Sequence, residues 1–241
     1  MRRVTALLAL LLAFVAVAAG CSGREAEEAR TLLDQSNAAF ARVKSATFRM
    51  RMTLSGGPEE LQLTDSVVTM TGGGYNRGKR AGDFYLVLTT NDAPAADVSV
   101  VSRSGRVSVT LNGSPIGNFP LPPTNENPIQ LVDFARYVKE VTVEHGKVIG
   151  GQSMAKLSGT IDTAGLADGM LSNVSGSGVP DLDFSKALGD THVTLYLSEA
   201  THLPMRGLAD ITLEVAGEKV QMDLDFAYTS YNEALRFPGV R

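Results

Sequence analysis

The residue types best suited to catalysis or metal binding are few and are not grouped along the chain. Three histidines, His145, His192 and His202, occur in 241 residues, and none is spaced from another as metal ligands are. A Gly-x-Ser-x-Gly nucleophile motif is absent, and Gly72-Gly73-Gly74 lacks the Lys-Ser/Thr of a phosphate-binding loop. We therefore expect solvated histidines, a glycine turn, no enzyme activity, no metal and no cofactor. A hydrolase stays open only if folding brings a serine, a histidine and a carboxylate together.

The single cysteine, Cys21, has neighbours typical of a lipid attachment site. Arg2-Arg3 precedes an apolar run from Val4 to Ala19, and Ala18-Ala19-Gly20 stands directly before the cysteine. This is the layout of a secretory signal peptide, and Ala18 to Cys21 resembles a bacterial lipobox, with Ala18 where Leu, Val or Ile is usual. The alternative is an ordinary signal peptide followed by a chance cysteine. A lone thiol is a liability outside the cell, so we favour lipidation of Cys21.

These features predict the organisation of the chain and its location. Residues 1–20 are the signal peptide, residues 21–28 are the lipidated cysteine and a short tether, and residues 29–241 are a single domain. The predicted location is the extracytoplasmic face of the plasma membrane, reached through the lipid anchor. The formal charge is −4, and the one dense basic patch, Arg77, Lys79 and Arg80, is interpreted as a solvated turn. Nucleic acid is therefore excluded as a partner.

Hydrophobic periodicity predicts an α+β fold. Ala29, Leu33 and Phe40 repeat at helical spacing, which predicts a helix over Glu25–Lys44. From Phe48 the period becomes two, which is typical of strands. Strands are predicted from Phe48 to the turn at Gly56 and over Leu61–Thr71, Asp83–Thr90, Asp97–Ser102, Arg106–Leu111, Val141–Ile149 and Ala155–Asp162, then around Val193–Leu197, Ile211–Val215 and Val220–Phe226. Further helices are predicted over Pro128–Lys139, Ala164–Leu171 and Phe184–Leu188. Short turns between neighbouring strands favour a large antiparallel sheet with helices on one face.

Several stretches resemble one lipoprotein family. They are Val43–Phe48, Gly146–Ser153 with Leu157–Ile161, Val193–Leu197, His202–Pro204, Val220–Leu224 and Phe237-Pro238. In order and spacing they are similar to the actinobacterial LppX/LprG family, although Pro120–Asn127 and Arg77–Thr90 depart from its pattern. The resemblance implies a curved antiparallel β half-barrel with helices packed on the concave face around an apolar cavity. It also implies that the chain binds acylated lipids or glycolipids and carries them from the plasma membrane toward the outer envelope, with a membrane transporter as a further partner.

The strand pattern, interpreted through this resemblance, supplies candidate cavity residues. They are Phe48, Met50, Met52, Leu63, Phe84, Leu86, Val107, Val109, Leu131, Phe134 and Val138. The same periodicity also fits a filled sheet core, and periodicity alone does not distinguish the two. The alternative function is an interaction or sensor module of the cell envelope with the same fold and no lipid cargo.

Overall fold

A computed structural model of the chain describes residues 25–56, 66–91, 97–120, 138–161, 191–215 and 218–238. Helix α1 covers residues 25–40. The strands are β1 Ser45–Gly56, β2 Ser66–Tyr75, β3 Phe84–Thr90, β4 Asp97–Arg103, β5 Arg106–Leu111, β6 Ser114–Pro120, β7 Val138–Ile149, β8 Gln152–Ile161, β9 His192–Ser198, β10 Pro204–Val215 and β11 Glu218–Tyr231. No helix in these ranges is long and apolar enough to cross a membrane.

All eleven strands form one antiparallel sheet in the order β6-β5-β4-β3-β2-β1-β11-β10-β9-β8-β7. Each half follows the chain from strand to neighbouring strand, and the halves meet where β1 pairs with β11. The sheet is open, with β6 and β7 at its edges, and it is curled. The predicted large antiparallel sheet is confirmed. Its predicted helices lie outside the described residues, apart from α1 and the last two residues of the helix placed at Pro128–Lys139.

Helix α1 packs across the β7–β11 half of the sheet. Ala29 and Leu33 are buried against β7, β8 and β9, whereas Phe40 packs against the aromatic side chains of β11. A helical rise of about 1.5 Å per residue carries α1 some 17 Å between Ala29 and Phe40, close to the roughly 19 Å across four strand spacings. Sequence spacing therefore predicted correctly which side of the helix is buried.

The end of α1 was predicted four residues too late. Bonds from Arg42 N to Ala39 O and from Val43 N to Phe40 O are of the tighter i to i−3 kind, and they end the helix before β1. Residues 25–28, shared by the predicted tether and the predicted helix, are helical.

Glycine misled the prediction of β2. The run Gly72-Gly73-Gly74 was predicted to end the strand, yet it lies inside β2. A Cβ built on Gly72 would stand 2.6 Å from Cζ of Phe48 on β1, its direct partner in the sheet. Glycine is needed at position 72 because the ring of Phe48 lies directly on the backbone, and close approach of another group is one reason for glycine inside a strand.

The sequence pattern was misleading at both edges of the sheet. Pro115 and Pro120 interrupt the alternation of apolar and polar residues, so β6 was not predicted, but an edge strand tolerates proline. At the opposite edge β7 begins at Val138, so Val138 and Lys139 are strand and not helix. His145, within the predicted strand Val141–Ile149, lies in β7 at a register shift between Glu144 and Lys147. Short turns at Ser104-Gly105 and Asn112-Gly113 join β4 to β5 and β5 to β6, which fits the predicted short turns between neighbouring strands.

Candidate functional site

One face of the sheet carries a continuous row of apolar residues. Partners directly opposite in antiparallel strands have side chains on the same face, and Met50 on β1 stands opposite both Met70 on β2 and Phe226 on β11. The row reads, from β5 to β8, Leu111, Val98, Leu88, Met70, Met50, Phe226, Gly207, Leu195 and Leu157. Eight strand spacings make this apolar row about 38 Å long, measured along the curved sheet. We call this side the apolar face.

The two halves of the apolar face differ in how far they are covered. In the β7–β9 half, Leu157 and Leu195 belong to the buried cluster under α1. In the other half, Met70, Leu88 and Val98 are only half-buried. The described part of the face is therefore closed on one side and partly open over β1 to β5.

Seven of the predicted cavity residues lie together on this partly open half. Phe48, Met50, Met52, Phe84, Leu86, Val107 and Val109 share the apolar face of β1, β3 and β5. Phe48 is 9% exposed, and its ring stacks on Phe226 with 5.3 Å between centroids. Val138 lies apart from them, packed against the cluster under α1. Leu63, Leu131 and Phe134 lie outside the described residues, and a cavity lined by this set remains a prediction.

Sequence reasoning missed other residues of the same face. Met70, Leu88 and Val98 alternate within their strands as Phe84 and Leu86 do, so the same period would have found them. An aromatic cluster at the middle of the sheet had no such signal, because Phe40, Tyr228 and Tyr231 come from distant parts of the chain. The hydroxyl of Tyr231 donates to the carbonyl oxygen of Pro204, and burial raises the pKa of Tyr231.

Over β1, β10 and β11 the opposite face carries mostly polar and charged side chains. Arg206 Nε and Nη2 donate to the two carboxylate oxygens of Asp225 at 2.8 and 2.7 Å, which lowers the pKa of Asp225. A concavity of about 240 Å³ opens on this face, and its lining includes Arg51, Asp210 and Asp223. Its position and charge distinguish it from the apolar cavity predicted on the other face.

His145 joins α1 to the sheet through two carboxylates. Its Nε2 lies 3.0 Å from Glu28 Oε1 on α1, and its Nδ1 lies 3.1 Å from Glu199 Oε1 in the β9–β10 turn. Hydrogen bonds to Glu199 and then to Glu28 raise the pKa of His145. The hydroxyl of Ser153 donates to Glu199 Oε2 at 2.5 Å. Glu199 thus stands between the serine and the imidazole, whereas a nucleophilic serine needs the imidazole beside its hydroxyl.

The described residues do not form a metal-binding site. No group of three or more His, Cys, Asp or Glu side chains among them is placed to hold an ion. The described residues offer an apolar surface whose reverse side is charged over β1, β10 and β11.

Comparison with known proteins identifies the fold. No protein-family profile and no curated protein sequence matches the chain. The structure is similar to that of LprF from Mycobacterium bovis, with a TM-score of 0.55 and 16% identity over 88% of this chain and 97% of that chain. It also matches lipoprotein LppX from Mycobacterium tuberculosis, with a TM-score of 0.43 and 15% identity over 88% of this chain and 98% of that chain. The likeness to LprF confirms the open, curled sheet that the resemblance to the LppX/LprG family implied.

Proposed function

We propose that this chain is a cell-envelope lipoprotein that binds an acylated lipid or glycolipid against the β1–β5 half of its apolar face. It carries the lipid from the plasma membrane toward the outer envelope, where a membrane transporter or a further carrier takes part in the handover. The observation that supports this most is the continuous apolar row, which α1 covers over β7 to β9 and leaves half-buried over β2 to β4. The fold shared with LprF is consistent with the proposal.

The energetics of such a face suit a carrier. Burial stabilises each CH₂ group by about 0.8 kcal/mol relative to water, so a chain of about 16 carbons gains on the order of 12 kcal/mol. A bilayer supplies nearly the same gain, and loading from the membrane is therefore close to neutral overall. Met50, Met52 and Met70 add unbranched, adaptable side chains to the face, which suits acyl chains of different lengths. Carriage of this kind makes and breaks no covalent bond, so we assign the chain no enzymatic step.

Lipidation of Cys21 holds the carrier at the extracytoplasmic face of the plasma membrane in this proposal. Because α1 is helical from residue 25, at most the four residues 21–24 separate the lipid from the folded domain. In extracts of the host, the wild-type chain should stay with membranes until detergent is added. Cys21→Ser should release it into buffer, and a Cys21→Ser chain that still needs detergent would contradict the anchor.

Lipid binding is tested by native mass spectrometry of the Cys21→Ser chain purified from its host. We expect one co-purifying acyl lipid per chain. Leu88→Asp places a carboxylate on the half-buried apolar face and should abolish the lipid adduct. Thr89→Asp is the matched control, since Thr89 is the next residue of β3, is exposed and faces the other side.

Circular dichroism of both variants must first show a retained sheet. A wild-type spectrum without lipid would contradict the proposed cargo. Equal lipid in Leu88→Asp and Thr89→Asp would contradict the proposed location.

A further inference from the structure

The turns of the sheet fall at two opposite ends, because neighbouring strands are antiparallel. The α1–β1 connection, the β2–β3 loop and the β4–β5, β7–β8 and β9–β10 turns share one end. The β5–β6 and β10–β11 turns share the other. We call the first the α1 end and the second the far end.

The start of α1 lies near the β7–β8 turn of the α1 end. His145 contacts Glu28 at 3.0 Å, and Val148 follows His145 by three residues on β7, a span of about 10 Å. The four residues 21–24 reach at most about 14 Å from the first described turn of the helix. A lipid on Cys21 therefore holds the bilayer close to the α1 end.

The β7–β8 turn presents apolar side chains to solvent. Val148 is 72% exposed and Ile149 is 36% exposed. The turn itself is Gly150-Gly151 with φ angles of 59° and 81°, the tight two-residue connection that positive φ allows. An exposed valine and isoleucine at the tip of a rigid hairpin suit insertion into the interfacial layer of a membrane, which buries apolar side chains.

Exposed basic residues lie along the same end of the sheet as this hairpin. Exposed cations lie in the turns of this end and at the adjoining strand ends, and six of them are Arg42, Lys44, Arg77, Lys79, Arg103 and Arg106. They are concentrated there although the whole chain carries a formal charge of −4. Near the hairpin, Glu28 and Glu199 are bonded to His145, and Glu144 is bonded to Lys147 and Lys156. At the far end the described strand ends carry Asp97, and Glu218 with Lys219.

We propose that the α1 end is a membrane-docking surface for an anionic bilayer. Val148 and Ile149 enter the interfacial layer, and the six cations lie against the lipid headgroups. This orientation extends the proposed function and depends on the lipid anchor proposed at Cys21. Docking in this pose holds the carrier upright on the membrane that supplies its lipid, with the strands pointing away from the surface.

The absence of tryptophan from the chain gives a direct test. Val148→Trp introduces a single tryptophan at the hairpin tip. Ile116→Trp is the matched control, because Ile116 is an apolar side chain on β6 that is 59% exposed and lies next to the β5–β6 turn of the far end. The lipidated full chain with each change is reconstituted on vesicles of phosphatidylcholine and phosphatidylglycerol, with and without brominated acyl chains.

We expect the emission of the Val148→Trp variant to shift to the blue and to be quenched by the brominated lipid. The emission of the Ile116→Trp variant should stay unshifted and unquenched. An unquenched Val148→Trp variant that co-sediments with the vesicles would overturn the docking pose while leaving the anchor intact. Failure of the lipidated chain to co-sediment would instead refute the anchor, and the pose with it.

The contribution of the cations is measured on the Cys21→Ser chain, which has no anchor. Each cation near an anionic surface should raise vesicle binding by about fivefold. The variant with Arg77→Gln and Lys79→Gln should therefore bind phosphatidylglycerol vesicles more weakly, whereas Lys219→Gln at the far end should bind as the parent does. Equal losses in both variants would contradict a docking surface at the α1 end.

Discussion

Replacing Gly72 by alanine is expected to destabilise the domain although it adds only one methyl group. The added Cβ would stand 2.6 and 2.9 Å from Cζ and Cε1 of Phe48, and 2.7 Å from Cδ2 of Leu86. Carbon atoms in contact are about 3.5–4.0 Å apart. The ring of Phe48 must therefore move by about 1 Å, or the two strands must separate.

The surroundings of Phe48 decide how large the effect is. The ring is buried and stacked on Phe226, so it has little room to move away from Gly72. Overpacking of this kind costs about 1–3 kcal/mol, while alanine returns some 0.4–1 kcal/mol by restricting the unfolded chain. The free energy of unfolding should fall by about 1–2 kcal/mol, and Tm should fall by roughly 2–8 °C in a domain of this size.

Urea unfolding followed by far-UV circular dichroism measures the change. Gly207→Ala is the control, because Gly207 lies in the same apolar row but its added Cβ would meet only the end of the Leu195 side chain, at 3.3 Å. That variant should stay within about 0.5 kcal/mol of wild type, since a flexible side chain can yield. Combining Gly72→Ala with Phe48→Leu should cost less than the sum of the single changes. Strict additivity, or a loss no larger than that of Gly207→Ala, would refute the close approach of Phe48 to β2.

Three further outcomes follow from polar contacts. Because the pKa of His145 is raised in the folded state, its stabilising contacts are fully present below its unfolded pKa and are lost as the pH rises through the folded value. Amide protection factors at the start of α1, which correct exchange for its intrinsic pH dependence, should fall across that window, and His145→Gln should remove this fall. The pKa of Asp225 is lowered in the folded state, so its pairing with Arg206 stabilises the domain above its unfolded pKa and is lost as the pH falls through the folded pKa. Arg206→Gln should therefore reduce the loss of unfolding free energy on acidification by less than about 1 kcal/mol, because both side chains are half-exposed. Asn232 has φ 59° and accepts a hydrogen bond from Lys44 N at 2.8 Å, so Asn232→Ala should lower the free energy of unfolding by about 1–2 kcal/mol, and an unchanged thermal transition would contradict that role.

The alternation of apolar and polar residues predicted the strands that are buried on one face only. β11 is the clearest example, since Val220, Met222, Leu224 and Phe226 alternate with polar residues toward a polar reverse side. The pattern failed where one residue type serves two purposes. Gly72 allows an aromatic ring to lie on the strand, whereas Gly105 supplies the positive φ of a turn. The sequence alone does not distinguish these two roles of glycine.

Long-range contacts at the candidate site could not be predicted in the same way. The apolar row depends on the pairing of β1 with β11, whose register no local signal encodes. The partners of His145 are 117 and 54 residues away, at Glu28 and Glu199, so a histidine predicted to be solvated connects two elements. The apolar character of Phe48 and Met50 was visible in the sequence, but the difference in cover between the two halves depends on where α1 lies.

The pairing of β1 with β11 also determines the order in which the sheet can be completed. Within each half, strands that are consecutive in the chain pair with each other. The pairing of β1 with β11 instead joins positions such as Thr47 and Thr229, which are 182 residues apart. Contacts this distant slow folding, and β1 keeps an unpaired edge until residues 218–231 are available. Such an edge can pair with another chain, so a partly synthesised or truncated chain would expose its aggregation-prone site at the middle of the sheet. The last strand therefore acts as the closing element of the fold, and protection of β1 until it arrives becomes a requirement for productive folding.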